Sequence, residues 1–183
     1  AVCENGVVKM GAKIYGATTI GPYSKIGGEV NNCMIQGYSN KGHDGFLGNA
    51  VLGEWCNLGA DTNNSNLKNN YQSVDLYNYS EEKYVDTELQ FCGLIMGDHS
   101  KSAINTMFNT GTVVGVSANI YGADFPSKFI PSYSWGGRKP LEYKFEKAMD
   151  TAKRVMERRN ISLTEVDLAI LKTVYEKSQK FRK

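Results

Sequence analysis

The sequence predicts a left-handed parallel β-helix that ends in a pair of α-helices, and three observations carry that reading. Aliphatic residues recur every sixth position, small residues recur at two fixed places between them, and the period changes to a helical one near the C-terminus. Val8, Ile14, Ile20 and Ile26 start the phase, Leu52 and Leu58 resume it, and Met96, Ser102, Phe108, Val114 and Ile120 continue it with Ser102 as the one polar member. The residue after each is usually tiny (Gly21, Gly27, Gly53, Gly59, Gly97, Ala103, Gly115), and the fourth residue after it is mostly small (Ala12, Thr18, Ser24, Cys56, Thr62, Ser100, Thr106, Thr112, Ala118). Neither a 3.6-residue nor a 2-residue period generates that pattern. A triangular coil does: each six-residue side points one aliphatic side chain into a narrow interior, and small residues let the chain bend at the corners. Successive turns then stack as parallel strands about 4.8 Å apart, and no turn is stable alone.

Taken in order, the coil is expected over residues 1–125, a connecting loop over 126–139 and a helical extension over 140–183. Residues 32–46 and 63–92 break the phase and are expected to project from the prism as loops, the usual place for ligand groups. The prolines and glycines of Phe125-Pro126-Ser127-Lys128-Phe129-Ile130-Pro131 and Ser134-Trp135-Gly136-Gly137 end the repeat. From Pro140, Leu141, Phe145, Ala148, Met149, Ala152, Val155 and Met156 follow helical spacing, and Ser162-Leu163-Thr164-Glu165 opens a second helix with a capping-box pattern. The apolar stripe Leu141, Phe145, Met149, Val155, Leu168 and Leu171 is expected to pack on the coil or on a neighbouring subunit. The chain opens at Ala1-Val2-Cys3 with the repeat already running, as expected of the C-terminal piece of a longer protein.

The 183 residues are 41% hydrophobic and 22% charged, with 19 Gly and 4 Pro, which suits a turn-dense folded protein. A net charge of +2 gives no reason to invoke nucleic acid or an anionic membrane as a partner. The charge is uneven, however: from Arg138 onward there are 13 basic and 7 acidic residues, so the tail is a basic unit, expected as a lid or buttress. Cys3, Cys33, Cys56 and Cys92 form no CxxC pair and read as reduced core thiols of a cytoplasmic protein with no metal site. No apolar stretch approaches the roughly 20 residues that cross a bilayer. Nucleotide-binding, serine-hydrolase and metalloprotease motifs are absent.

The strongest chemical candidate is His43. It sits among small and polar residues in the first break, where an accessible imidazole can accept a proton near neutral pH; the alternative is a surface histidine bonded to Asp44. His99 is expected to face outward in a structural role, Cys56 to fill a corner of the core, and Trp55, Tyr133 and Trp135 to pack.

The ungapped stretch Ser39-Asn40-Lys41-Gly42-His43-Asp44-Gly45-Phe46-Leu47-Gly48-Asn49-Ala50-Val51-Leu52-Gly53-Glu54-Trp55-Cys56-Asn57-Leu58-Gly59-Ala60-Asp61-Thr62 resembles the acetyltransferase half of the bifunctional N-acetylglucosamine-1-phosphate uridylyltransferase/glucosamine-1-phosphate acetyltransferase family. Gly93-Leu94-Ile95-Met96-Gly97-Asp98-His99-Ser100, Ile104-Asn105-Thr106-Met107-Phe108-Asn109-Thr110-Gly111-Thr112 and the Trp135-Gly136-Gly137 exit look like the Bacteroidetes-type variant of it. The resemblance implies acetyl-CoA as co-substrate, a sugar-1-phosphate acceptor, a homotrimer with its sites between prisms, and an upstream nucleotidylyltransferase domain outside this chain. It implies His43 as general base, Asn57 and Asn66 as sugar contacts, and Lys13 near a phosphate-holding arginine. Phe46, Asn31 and Asp61 depart from the family's tyrosine, lysine and glycine, so Lys41 and Lys68 are the cations expected to substitute at the phosphate. Two alternatives stay open: a non-catalytic trimerising scaffold, and an acyltransferase on another amino sugar phosphate.

Overall fold

The computed structural model describes residues 1–182 and shows the coil with two helices at its C-terminal end. The first face of the prism stacks Val7–Val8, Lys25–Ile26, Asn40–Lys41, Asn57–Leu58, Lys101–Ser102, Asn119–Ile120 and Ser134–Trp135 in parallel. An antiparallel strand, Leu141–Glu142, closes it. The second face carries Lys13–Tyr15, Glu29–Asn31 and Phe46–Gly48, followed by Asn63–Asn64 and Met107–Phe108. The third carries Thr19–Ile20, Met34–Ile35, Val51–Leu52, Ile95–Met96, Val113–Val114 and Phe129–Ile130.

The six-residue phase marks the interior. Ile20, Ile26, Leu52, Leu58, Met96, Phe108, Val114 and Ile120 are all buried in one core, and Ser102 is buried with them. Val8, in the first turn of the described coil, is 47% exposed.

Residues 32–46 do not project. They supply Met34–Ile35, Asn40–Lys41 and the start of Phe46–Gly48, each in register with the turns on either side. Only the corners shorten: Val8 pairs with Ile26, eighteen positions on, whereas Ile20 pairs with Ile35 after fifteen and Ile35 with Leu52 after seventeen. Lys41 occupies an interior slot there and is 1% exposed, which is why the pattern reads as broken. Asn64 is likewise interior; its carboxamide accepts from Gly48 N at 2.8 Å and donates to Gly48 O at 2.9 Å, as a strand backbone would. The true excursion follows Asn64 and folds into an antiparallel hairpin, Asp75–Asn78 with Lys83–Asp86. Tyr77 of that hairpin stacks on Phe129 with ring centroids 3.6 Å apart. Residues 126–139, expected as a connector, contain two further rungs, Phe129–Ile130 and Ser134–Trp135.

Small residues after the aliphatic positions are needed because stacked turns approach closely. A Cβ on Gly59 would lie 2.5 Å from the backbone of Ala103. At one corner, by contrast, the left-handed conformation falls on large residues: Tyr23, Tyr38, Trp55 and His99 have φ of 58°, 59°, 60° and 60°. Their rings point out of the prism and stack, at 5.0 Å, 4.1 Å and 6.2 Å between successive centroids. His99 is therefore outward from the coil yet covered, and burial first, then Lys101, holds its imidazole down at about 4.

Helix α1 (Phe145–Glu157) and helix α2 (Glu165–Lys177) cap the coil through Tyr133, whose hydroxyl donates to Leu171 O at 2.8 Å. Met149, Ala148 and Leu171 bury against Tyr133, with Phe145 packed alongside. Leu141 and Leu168, expected in the same stripe, are 73% and 37% exposed. Leu141 lies on the antiparallel edge strand, and Leu168 stands one turn before Leu171 at the margin of the buried side of α2. The capping box sits two residues later than the sequence pattern suggests, with Thr164 and Asp167 exchanging side-chain and backbone bonds. The four cysteines are free thiols, and burial pushes Cys56 up to about 12, as suits a core residue. Among the described residues no helix is long and apolar enough to cross a membrane, and no cluster of His, Cys, Asp and Glu could hold a metal ion.

Candidate functional site

The first face presents a column of outward residues, one per turn: Lys25, Asn40, Asn57 and Lys101 stand in register on adjacent strands. Each precedes an inward residue, so strand alternation alone puts it on the surface. Beside this column, at the corner leading to the second face, the chain runs Gly42-His43-Asp44-Gly45 and leaves His43 exposed. The corner must be tight. Gly45 has φ of +110°, and a Cβ there would lie 2.3 Å from Thr62 O.

Lys41 braces this corner from inside the prism. Its ammonium donates to His43 O at 2.5 Å, to Asp44 O at 3.1 Å and to Gly27 O at 3.4 Å. Burial holds the amine below its usual range, with Asp44 and Asp61 pulling the other way. The expectation that Lys41 is a loop cation at a substrate phosphate is thereby corrected: its charge is spent on backbone carbonyls of the corner that bears His43.

His43 and Asn57 line one cleft of about 570 Å³. Tyr38 and Trp55 form an aromatic wall, and Val155, Arg158 and Arg159 from the end of α1 form the opposite one. Arg159 is tied to the coil by a 3.2 Å hydrogen bond from Nη2 to Asn40 Oδ1. Four cations, Lys9, Lys25, Arg158 and Arg159, line the cleft, and no carboxylate does. Such a site favours anions, because nothing in its own wall neutralises the charge. A shallower depression of about 520 Å³ adjoins it around the corner, with His43 on the shared rim beside Gly28, Asp44 and Asp61.

The other expected residues are dispersed. Lys13 lies farther along the second face, in a depression with Glu29, Phe46 and Asn63 that does not include His43. Asn66 donates to Asn49 Oδ1 at 2.8 Å, beyond the second face. Lys68 belongs to the excursion, where it pairs with Asp75 at 3.2 Å. Neither Asn66 nor Lys68 lines the His43 cleft. The residues missed from sequence are Lys9, Lys25, Arg158 and Arg159. Lys25 was findable, since it holds the same outward slot as Asn57, whereas the arginines announced themselves only as charge in the tail.

No protein-family model matches the chain. It is 32% identical over 87 residues to the bifunctional protein GlmU of Methanococcus aeolicus, a match covering 48% of this chain and 20% of that protein. The GlmU of Methanocaldococcus jannaschii matches at 31% over 87 residues, 48% of this chain and 21% of that one. The chain is GlmU-like over that stretch. It spans about a fifth of the length of these relatives. In fold it is similar to AntD, an N-acyltransferase from Bacillus cereus. A point mutant of AntD in complex with dTDP-4-amino-4,6-dideoxyglucose and Coenzyme A superposes with a TM-score of 0.62 at 11% identity, over 86% of this chain and 90% of that one. AntD in complex with dTDP and 3-hydroxybutyryl-CoA superposes with 0.55 at 10% identity, over 87% and 91%.

Proposed function

We propose that the chain is the acetyltransferase-like part of a sugar-1-phosphate nucleotidylyltransferase and moves acetyl from acetyl-CoA to the amine of glucosamine-1-phosphate. The observation that carries this reading is the exposed His43 sharing a carboxylate-free cleft with Asn57 and four cations. In the reaction the sugar amine attacks the thioester carbonyl, a C–N bond forms and the C–S bond breaks. His43 accepts the amine's proton, and the proton leaves with the CoA thiol. No covalent enzyme intermediate is needed, so the task of the rigid face is to align amine and thioester. The phosphates of either substrate suit Lys9, Lys25, Arg158 and Arg159, and Asn57 suits a sugar hydroxyl. Both GlmU relatives are named as bifunctional proteins, and the AntD structures hold CoA or an acyl-CoA, which supports acyl-CoA as the co-substrate. Free thiols suit a cytoplasmic setting.

The test is release of CoA thiol when the chain is given acetyl-CoA and glucosamine-1-phosphate. Changing Arg158 and Arg159 together to alanine is expected to raise KM about 10–100-fold with kcat little altered, the loss of charge-assisted contacts to phosphate.

A homotrimer belongs to the same proposal. Lys68 and Asn66 lie away from the cleft of their own chain, and the outward column Met34, Val51 and Ile95 of the third face is apolar, with Met34 53% exposed. Light scattering is expected to give three times the 20.3 kDa chain mass at micromolar concentration. A monomer would overturn the trimer and leave Lys68 and Asn66 without a cleft to serve. The same dispersal of Lys68 and Asn66 favours the competing reading of a trimeric scaffold without turnover, which predicts no thiol release from an intact trimer.

A further inference from the structure

Above the His43 cleft the outward column continues from Asn57 to Lys101 and Asn119, and here α1 lies across it. Between helix and sheet is a second cavity, of about 110 Å³, walled below by His99, Lys101, Ser117 and Asn119 and above by the small faces of Ala148 and Ala152. A water molecule takes about 30 Å³ of liquid volume, so the space fits an ion of a few heavy atoms and excludes a sugar phosphate or CoA.

The wall is chemically one-sided. The Lys101 ammonium donates to His99 O at 2.8 Å and makes no ion pair among the described residues. Two of its three N–H groups are therefore without a protein acceptor. Burial holds this amine below its ordinary range. Three buried side-chain polar atoms lack a partner of ordinary geometry among the described residues, and two of them, Ser117 Oγ and His99 Nδ1, belong to residues of this wall. Ser117 Oγ lies beside the Tyr133 phenol, whose oxygen gives its proton to Leu171 O and still accepts from the Ser117 hydroxyl, so the atom of this wall that stays without a partner is His99 Nδ1. No carboxylate lines the cavity. The acidic group nearest in influence, Asp167 of α2, accepts from Thr164 of its own cap. A buried charge with so little compensation is costly, and water supplies acceptors without supplying the opposite charge.

We propose that this cavity binds a small monoanion, of halide or carboxylate size, on the Lys101 ammonium with the Asn119 carboxamide as a further donor. The anion neutralises the cation that α1 covers and holds the helix to the sheet. It thereby also fixes the end of α1 that carries Arg158 and Arg159 into the neighbouring cleft. The site stands independently of acetyl transfer.

Two measurements on the whole chain decide it. Crystals soaked in bromide are expected to show an anomalous peak within hydrogen-bond reach of Lys101 Nζ. Thermal melts in rising chloride, and separately in acetate, are expected to climb by about 5–10 °C by one hundred times Kd and then level off, which also tells halide from carboxylate. Lys101→Met keeps the stem and removes the charge; its melting is expected to show only the general salt trend. Should that variant fail to fold, Asn119→Asp supplies an internal counter-charge and is expected to lose the anion response while staying folded. Parallel titrations of wild type and variant, no peak in the cavity, or a peak without saturable stabilisation would each overturn the proposal.

Discussion

Replacing His43 with alanine is expected to lower acetyl transfer by about 10²–10⁴-fold, the usual contribution of a general base, without lowering the melting temperature. The stability half of this expectation follows from the structure. The His43 side chain is exposed and makes no hydrogen bond among the described residues, while its backbone carbonyl is what Lys41 holds. An alanine keeps that carbonyl, the flanking Gly42 and Gly45 and the interior brace, and exposed substitutions away from such features change stability by only about 0.5 kcal/mol. Thiol release and a melt on the same sample check both halves. Turnover unchanged in the variant would take His43 out of the mechanism. No turnover in either protein, with the trimer intact, would favour the scaffold.

The interior of the coil was legible from the residues because one rule governs it: a side that points inward every sixth residue leaves a trace in any chain long enough to repeat it. What hid the rest was physical. Lys41 and Asn64 are interior but polar, and each is tolerated because its polar atoms find backbone groups inside or beside the prism. A reader of hydrophobicity sees a gap where the strand stacking is continuous. Turns that lose one to three residues at a corner shift the phase without breaking the register, and nothing local marks such a loss. His43 was found through its resemblance and its small neighbours, and Asn57 shares its cleft because both stand on or beside the first face in consecutive turns. The cations were harder. Lys9, Lys25, Arg158 and Arg159 are up to 150 positions apart, and they meet only because α1 doubles back over the first face until Arg159 reaches Asn40. The charge of the tail was visible in composition, but its destination was set by Tyr133, Met149 and Leu171, which dock the helices.

Among changes to the core, Phe108→Ala is expected to be severe, at about 3–5 kcal/mol. Phe108 is 1% exposed and is bulky for a position the repeat otherwise gives to aliphatics. Its size answers a deficit. In the same turn Ser102 replaces an aliphatic and turns its hydroxyl to Thr62 Oγ1 at 2.9 Å, so the triangle of Ser102, Phe108 and Val114 is filled mainly from one side. Removing the ring leaves a void that the serine cannot collapse into while it holds that bond, and rigid stacked turns relax little. Because each turn of a coil touches only its neighbours, the damage should be local. Urea unfolding is expected to show the loss in midpoint, and amide exchange to show it first in Asn57–Leu58, Asn63–Asn64 and the strands from Ile95–Met96 to Asn119–Ile120. The cap formed by α1 and α2 on Tyr133 should exchange later. A loss under about 1 kcal/mol, or exchange that rises evenly over the whole chain, would mean that Phe108 is not the side chain that fills this turn.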